Sequence, residues 1–182
     1  MDNPCGIIVF GANGSGKTTL GAELARVLGF LHMDHEAYAF AESEIPYTAP
    51  RSRRECGERM LADIRLHRRF VLSAVTGDFG DAIARCYVLA VHLSAPLELR
   101  LKRYDQREYR RHGARMLPGG DLYESRGEFR EFIASRSLSH IEQWAGTLTC
   151  PVLRLDGTTD WRTNAAHIAE QFRRLQGADV CL

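Results

Sequence analysis

Eight consecutive residues, Gly11-Ala12-Asn13-Gly14-Ser15-Gly16-Lys17-Thr18, match G-x-x-x-x-G-K-[ST] at every fixed position. Glycines at this spacing let backbone N–H groups turn inward without a Cβ clash, and a helix beginning here adds favourable potential for phosphate oxygens. Lys17 would bring a mobile positive charge to the β- and γ-phosphates, and the Thr18 hydroxyl would be a ligand for Mg2+. Nucleotide contacts are therefore expected from Gly11, Asn13, Gly14, Ser15, Gly16, Lys17, Thr18 and Thr19. Guanine selectivity of the N/T-K-x-D kind is excluded, because the only other lysine, Lys102, is followed by Arg103 and Tyr104. No run of four apolar residues ends in an Asp-Glu pair, which argues against a motor-type ATPase.

The arginines come next. Six of them and Lys102 lie between positions 100 and 115, against Asp105 and Glu108. Arg100, Arg103 and Arg107 share one helical face by their three- and four-residue spacing. A second basic stretch, 51–69, holds seven arginines against Glu55, Glu58 and Asp63, and suits either an anionic ligand or a solvated helix face. The five cysteines, Cys5, Cys56, Cys86, Cys150 and Cys181, are scattered without a C-x-x-C pair and read as reduced thiols.

The elements that must position these groups alternate along the chain. Short apolar or β-branched runs predict strands at 6–10, 30–33, 70–75, 87–93 and 151–155. Helical periodicity predicts helices over 20–28, stopped by Gly29, and over 52–67 through Cys56, Met60, Leu61 and Ile64. A third follows Pro96, with Leu97, Leu101 and Tyr104 on the face opposite the arginines, and a last begins near Asp160 with Ala165, Ile168, Ala169 and Phe172 inward. Residues 41–51, with Pro46 and Pro50, and residues 112–127, with four glycines and Pro118, read as long loops, the usual place of lids and binding segments. Strands alternating with helices imply a parallel sheet.

Composition bounds the rest. At 182 residues, 45% apolar and 26% charged, the chain suits one globular domain spanning 1–182. A formal charge of +1 argues against a nucleic-acid partner, although a 5′-hydroxyl kinase of nucleic acids is the use the basic segments would favour. No apolar run approaches the roughly 20 residues of a membrane span, and no leader is visible, so a cytoplasmic monomer or homodimer without membrane contact is expected.

In this order and spacing, the phosphate loop, Leu31-His32-Met33-Asp34-His35-Glu36, Val71 to Asp78, the Arg100 to Arg107 face and Leu155-Asp156-Gly157-Thr158 make the whole chain resemble the nucleoside-monophosphate-kinase-like P-loop kinases. These include adenylate, shikimate and gluconate kinases and proteins labelled adenylate-kinase-like or AAA family ATPase. The resemblance implies a three-layer α/β/α fold with a five-stranded parallel sheet, an acceptor-binding segment at about 37–70 and a lid at about 107–127. It implies transfer of the γ-phosphoryl group of ATP, with Mg2+, to a nucleoside, nucleotide or metabolite hydroxyl. The alternative is an ATP-binding or ATP-hydrolysing regulatory protein without an acceptor. Lys17, Asp34 and Arg107 take the catalytic roles, Asp34 orienting or deprotonating the acceptor. Arg100 and Arg103 join the nucleotide contacts, and Asp34, Glu36, Gly77 and Asp78 the acceptor contacts. Beside these roles stand plainer ones: a helix cap for Asp34, a solvated first-turn acid for Glu36, a simple turn for Thr76-Gly77-Asp78 and structural roles for His32 and His35.

Overall fold

Helices cover both faces of a five-stranded parallel sheet in the computed structural model, which describes residues 3–43 and 48–178. In chain order the elements are β1 (Cys5–Phe10), α1 (Lys17–Leu28), β2 (Leu31–Asp34), α2 (His35–Ala39), α3 (Arg53–His67), β3 (Arg69–Ala74), α4 (Asp81–Ala84) and β4 (Tyr87–Ser94). Then come α5 (Leu97–His112), a 3-10 turn (Gly113–Met116), α6 (Tyr123–Ser135), α7 (Ser139–Ala145), β5 (Val152–Asp156) and α8 (Trp161–Ala178). The strand order is β2-β3-β1-β4-β5. The phosphate loop therefore leaves the central strand, with the end of β2 on one side of it and the end of β5 on the other.

Alternation along β1 divides the core. Ile8 and Phe10 face a layer built on Cys56, Met60 and Ile64 of α3 and Ile141 and Ala145 of α7. Ile7 and Val9 face the opposite layer, Leu20 and Leu24 of α1 with Ile168 and Phe172 of α8. Burial on both sides is why the central strands β1, β3 and β4 read as continuous apolar runs. Each such side chain contributes about 1.5–3 kcal/mol relative to exposure. Helix ends follow the expected chemistry: Gly29 closes α1 at φ 69°, the Ser52 side chain accepts from the Glu55 N–H at the start of α3, and Asp160 Oδ1 accepts from the N–H groups of Arg162 and Thr163.

Three expectations need correction. Residues 112–127 are not a long loop: they hold the 3-10 turn and the first turns of α6, and Met116 and Leu122 are buried there, so the stretch does pack. Its polar ends are tied as well, Arg115 to Asp121 at 2.6 Å and Arg126 to Asp105 at 2.6 Å. The second correction concerns α5, whose inward face carries Arg100, Tyr104 and Glu108 while Leu97 is 38% exposed. That helix lies over the carbonyl groups of the phosphate loop, where donors rather than apolar groups are required. Third, α6 begins at Tyr123, inside the stretch that reads as a loop, and α7 is a helix additional to those the periodicity marks. The 41–51 stretch is pinched at its ends, Ala41 N–H donating to Ala49 O and Arg51 N–H to Ala39 O; Pro46 and Cys181 lie outside the described residues. The four described cysteines are free thiols. Among the described residues no helix is long and apolar enough to cross a membrane.

Candidate active site

The phosphate loop takes backbone conformations that only glycine adopts without strain, with φ of 80° at Gly14 and 103° at Gly16. At Gly14 there is no alternative, since a Cβ would sit 2.4 Å from the backbone oxygen of Arg100. Two arginines of α5 satisfy the loop from above. Arg100 donates to Asn13 O at 3.3 Å, and Arg103 donates to Ser15 O at 2.9 Å and to Gly157 O at 2.8 Å. Arg103 thereby braces the loop against the segment after β5. From below, the Ser73 hydroxyl donates to Lys17 O at 3.1 Å and meets His32 Nε2 at 3.0 Å, so β2, β3 and α1 are locked together. Gly21 permits that contact, because a Cβ there would lie 2.2 Å from Ser73 Oγ.

Lys17 Nζ donates to Ala12 O at 2.9 Å. Burial pushes its ammonium down to about 8; Glu36 and then Asp34 pull it up, and Arg107 and Arg100 oppose them. The direction gives a testable consequence. A polyanion binds the protonated amine, so ATP affinity is expected to be flat below pH 8 and to weaken roughly tenfold by pH 9, as the free protein loses that proton. Calorimetric titrations at pH 7, 8 and 9 measure it, and a flat profile would show that Lys17 stays charged throughout.

Asp34 ends β2 and caps α2, its Oδ1 accepting from the Glu36 N–H at 3.1 Å. The capping reading and the chemical reading coexist, because Asp34 and Glu36 also line a cavity of about 820 Å3. The same cavity is lined by Asn13 through Thr19, by Arg103 and by Arg107, whose Nε donates to the buried Glu108 carboxylate at 2.8 Å. Arg110 and Arg111 line it too, whereas Arg115 is turned to Asp121 and does not.

Four candidate residues stand outside that lining. Gly11 packs on β4, where a Cβ would meet Leu93 O at 2.3 Å, and Arg100 is 5% exposed and committed to the loop backbone. Gly77 does not open the backbone to a substrate: a Cβ there would lie 2.3 Å from Ile8 Cδ1 and 2.8 Å from the Trp144 ring. Asp78 is paired with Arg53 at 3.0 Å on the exposed surface. Val75 is in the cavity lining, and, two residues on, Gly77 is packed against Ile8 and Trp144 of α7 instead. Gly77→Ala is therefore expected to cost about 1–3 kcal/mol of stability by overpacking. A thermal melt reads that loss, and an unchanged midpoint would return Gly77 to the solvent side.

The cavity also contains groups that sequence reasoning missed. Phe129, Phe132, Arg126 and Arg136 come from or just beyond α6, and Trp161 and the buried Asn164 from α8, where Asn164 Nδ2 donates to Asp156 O at 3.0 Å. A signal existed, since Leu122, Ser125, Arg126, Phe129 and Phe132 recur at helical spacing.

The implied nucleotide and metal fit these residues. Ser15 Oγ is buried with no hydrogen-bond partner at the floor of a glycine cradle, and the first-turn N–H groups of α1 have no acceptor within the helix. Mg2+ held on phosphate oxygens needs few protein ligands, and the exposed Thr18 hydroxyl on the cavity wall is suited to be one.

A family model described as an AAA domain matches residues 7–131. The uncharacterized protein YqaC of Bacillus subtilis (strain 168) is 31% identical over 160 residues, 82% of this chain and 87% of that one. Among solved structures, a proposed kinase from Chloroflexus aurantiacus j-10-fl superposes with a TM-score of 0.55 at 16% identity, covering 96% of this chain and 98% of that chain. The shikimate kinase of Acinetobacter baumannii in complex with shikimate superposes with a TM-score of 0.51 at 18% identity, covering 96% and 94%. These likenesses show a shared three-layer fold.

Proposed function

Because the chain belongs to the AAA domain family, matched over residues 7–131, and carries the fold of P-loop kinases, we propose that it is an ATP-dependent kinase of a small-molecule hydroxyl. The observation that carries this reading is the single cavity lined both by the phosphate-loop lysine and by Asp34 and Glu36 from the neighbouring strand end. That is the arrangement a transfer between two bound molecules requires.

In the proposed reaction the acceptor oxygen forms a bond to the γ-phosphorus as the bond to the leaving ADP oxygen breaks. The acceptor proton passes to Asp34 or through it to water. In this reading Lys17 and Arg107 would meet the negative charge that grows on the transferring group, while Arg103 holds the loop in shape. Mg2+, when bound on the phosphates with Thr18, neutralises charge there. Asp34 Oδ1 is occupied by the cap, so the carboxylate is fixed in orientation, which is what a positioned base needs. The test is a metabolite-pool incubation with γ-labelled ATP. Label appearing in a small molecule supports the kinase reading; tight ATP binding with no labelled product rejects it in favour of a regulatory role.

Residues 107–127 are proposed as the lid. Arg107, Arg110 and Arg111 already face the cavity, and closing them over the phosphates would exclude water. Hydrogen exchange across this segment is expected to slow on adding a non-hydrolysable ATP analogue with acceptor. Equal and strong protection in both states would mark a rigid wall instead.

A further inference from the structure

One wall of the cavity has a character that ATP does not require. Phe129 and Phe132 of α6 are 40% and 42% exposed, yet both line the cavity. Their rings stack at 5.6 Å and 29°, Tyr104 continues the row at 5.5 Å from Phe129, and the Arg136 guanidinium covers Phe132 at 5.0 Å. Large rings left wet side by side mark a binding surface rather than a fold requirement.

The topology says which side of the phosphate loop this wall serves. The segment after β5, with Gly157 and Thr159, borders the cavity on one side of the loop, and β2 with Asp34 on the other. Arg136 belongs to the second side, since it shares a small void with Asn13 and with Val75 at the end of β3. Charge adds a second constraint. The lining holds seven lysine and arginine side chains against three carboxylates, and Asp105 behind Arg126 offsets one more, which leaves a net excess of three positive charges. A nucleotide chelated to Mg2+ retains about two negative charges, so positive charge remains for another anion.

We infer that the acceptor is a planar ring carrying an anionic group, the ring packing against the cavity side of the Phe129–Phe132 row and the anion meeting the Arg136 guanidinium beside it. The word acceptor rests on the kinase reading above; the recognition of a flat anion does not. Polyhydroxylated acids such as shikimate and gluconate bear hydroxyls across their faces and gain little from such a shelf.

Saturation-transfer NMR on the full chain with Mg2+ and a non-hydrolysable ATP analogue tests this. The probes are uridine 5′-monophosphate and 3-hydroxybenzoate as planar anions, uridine and 3-hydroxybenzyl alcohol as their neutral counterparts, and shikimate and gluconate as non-planar acids. The planar anions are expected to bind best, and Phe132→Ala to weaken them about tenfold while ATP-analogue affinity stays within about twofold. Phe132→Leu, which keeps apolar volume, is expected to fold and to lose less. Arg136→Gln is expected to erase the difference between charged and neutral rings. Preferential binding of gluconate or shikimate, indifference to Phe132→Leu and Phe132→Ala, or loss of the ATP analogue instead would overturn the inference. Ring binding that survives alongside an absence of phosphoryl transfer would reject the kinase reading and leave this inference standing.

Discussion

Lys17→Ala is expected to lower phosphoryl transfer by about a hundred- to a thousandfold, the cost of removing one preorganised charge from a developing anion. The fold should survive it. The Lys17 ammonium makes one hydrogen bond, to Ala12 O, and contributes nothing to either apolar core. Its ionisation even favours the variant. Burial depresses the amine to about 8, so the charged form is disfavoured in the folded protein relative to the unfolded chain. That cost is present below pH 8 and fades as the pH rises toward the unfolded value, so the melting temperature of Lys17→Ala at neutral pH should equal or exceed the parent's. Labelled-ATP turnover and thermal melting, run side by side, give both answers. Full turnover in the variant would remove Lys17 from the chemistry.

Asp34→Asn is the second large effect. Asparagine keeps the volume and can still accept from the Glu36 N–H, so α2 remains capped. What it loses is charge and basicity. If Asp34 orients and deprotonates the acceptor hydroxyl, kcat falls by about two to four orders of magnitude with little change in ATP affinity at pH 7. A further readout separates the electrostatic role. Asp34 is one of the two carboxylates that raise the Lys17 pKa, so its removal should shift the pH dependence of ATP binding to lower pH. Asp34→Ala adds loss of the cap, about 1 kcal/mol of stability. An unchanged kcat in Asp34→Asn with a lower melting temperature in Asp34→Ala would leave capping as the only role.

Phe129 and Phe132 sharpen the question of the acceptor in a way the phosphate loop cannot. Phosphate-binding residues are shared by proteins of many activities, whereas Phe129 and Phe132 of α6 line the cavity apart from the phosphate loop. On the proposed kinase reading, mutations there are expected to change which acceptor is used, and mutations at Lys17 and Asp34 whether transfer occurs at all.

Much of this protein is decided locally and is therefore legible in the chain. Gly14 and Gly16 with Lys17 and Thr18 mark a phosphate loop because the turn geometry and the helix start are properties of adjacent residues. The three central strands announce themselves because burial on both faces demands continuous apolar runs, and Gly29, Ser52 and Asp160 mark helix ends because caps bond within a few residues. What lies opposite a side chain is not local. The face of α5 that carries Arg100 is polar by periodicity, which suits a nucleotide clamp, yet Arg100 is buried against the phosphate loop, because the carbonyls of Asn13 and Ser15 lie across from that helix and need donors. The family resemblance implies a substrate contact at Gly77, but Ile8 and Trp144, from β1 and α7, take the space. Arg115 has the charge of a phosphate clamp, and Asp121 neutralises it. The phenylalanine wall exists as a wall only because α6 folds back along α5, tied by Arg126 and Arg130 to Asp105. Periodicity tells which residues share a face; only the packed chain supplies the partner that face meets, because burial, donor satisfaction and charge neutralisation are properties of pairs distant in sequence.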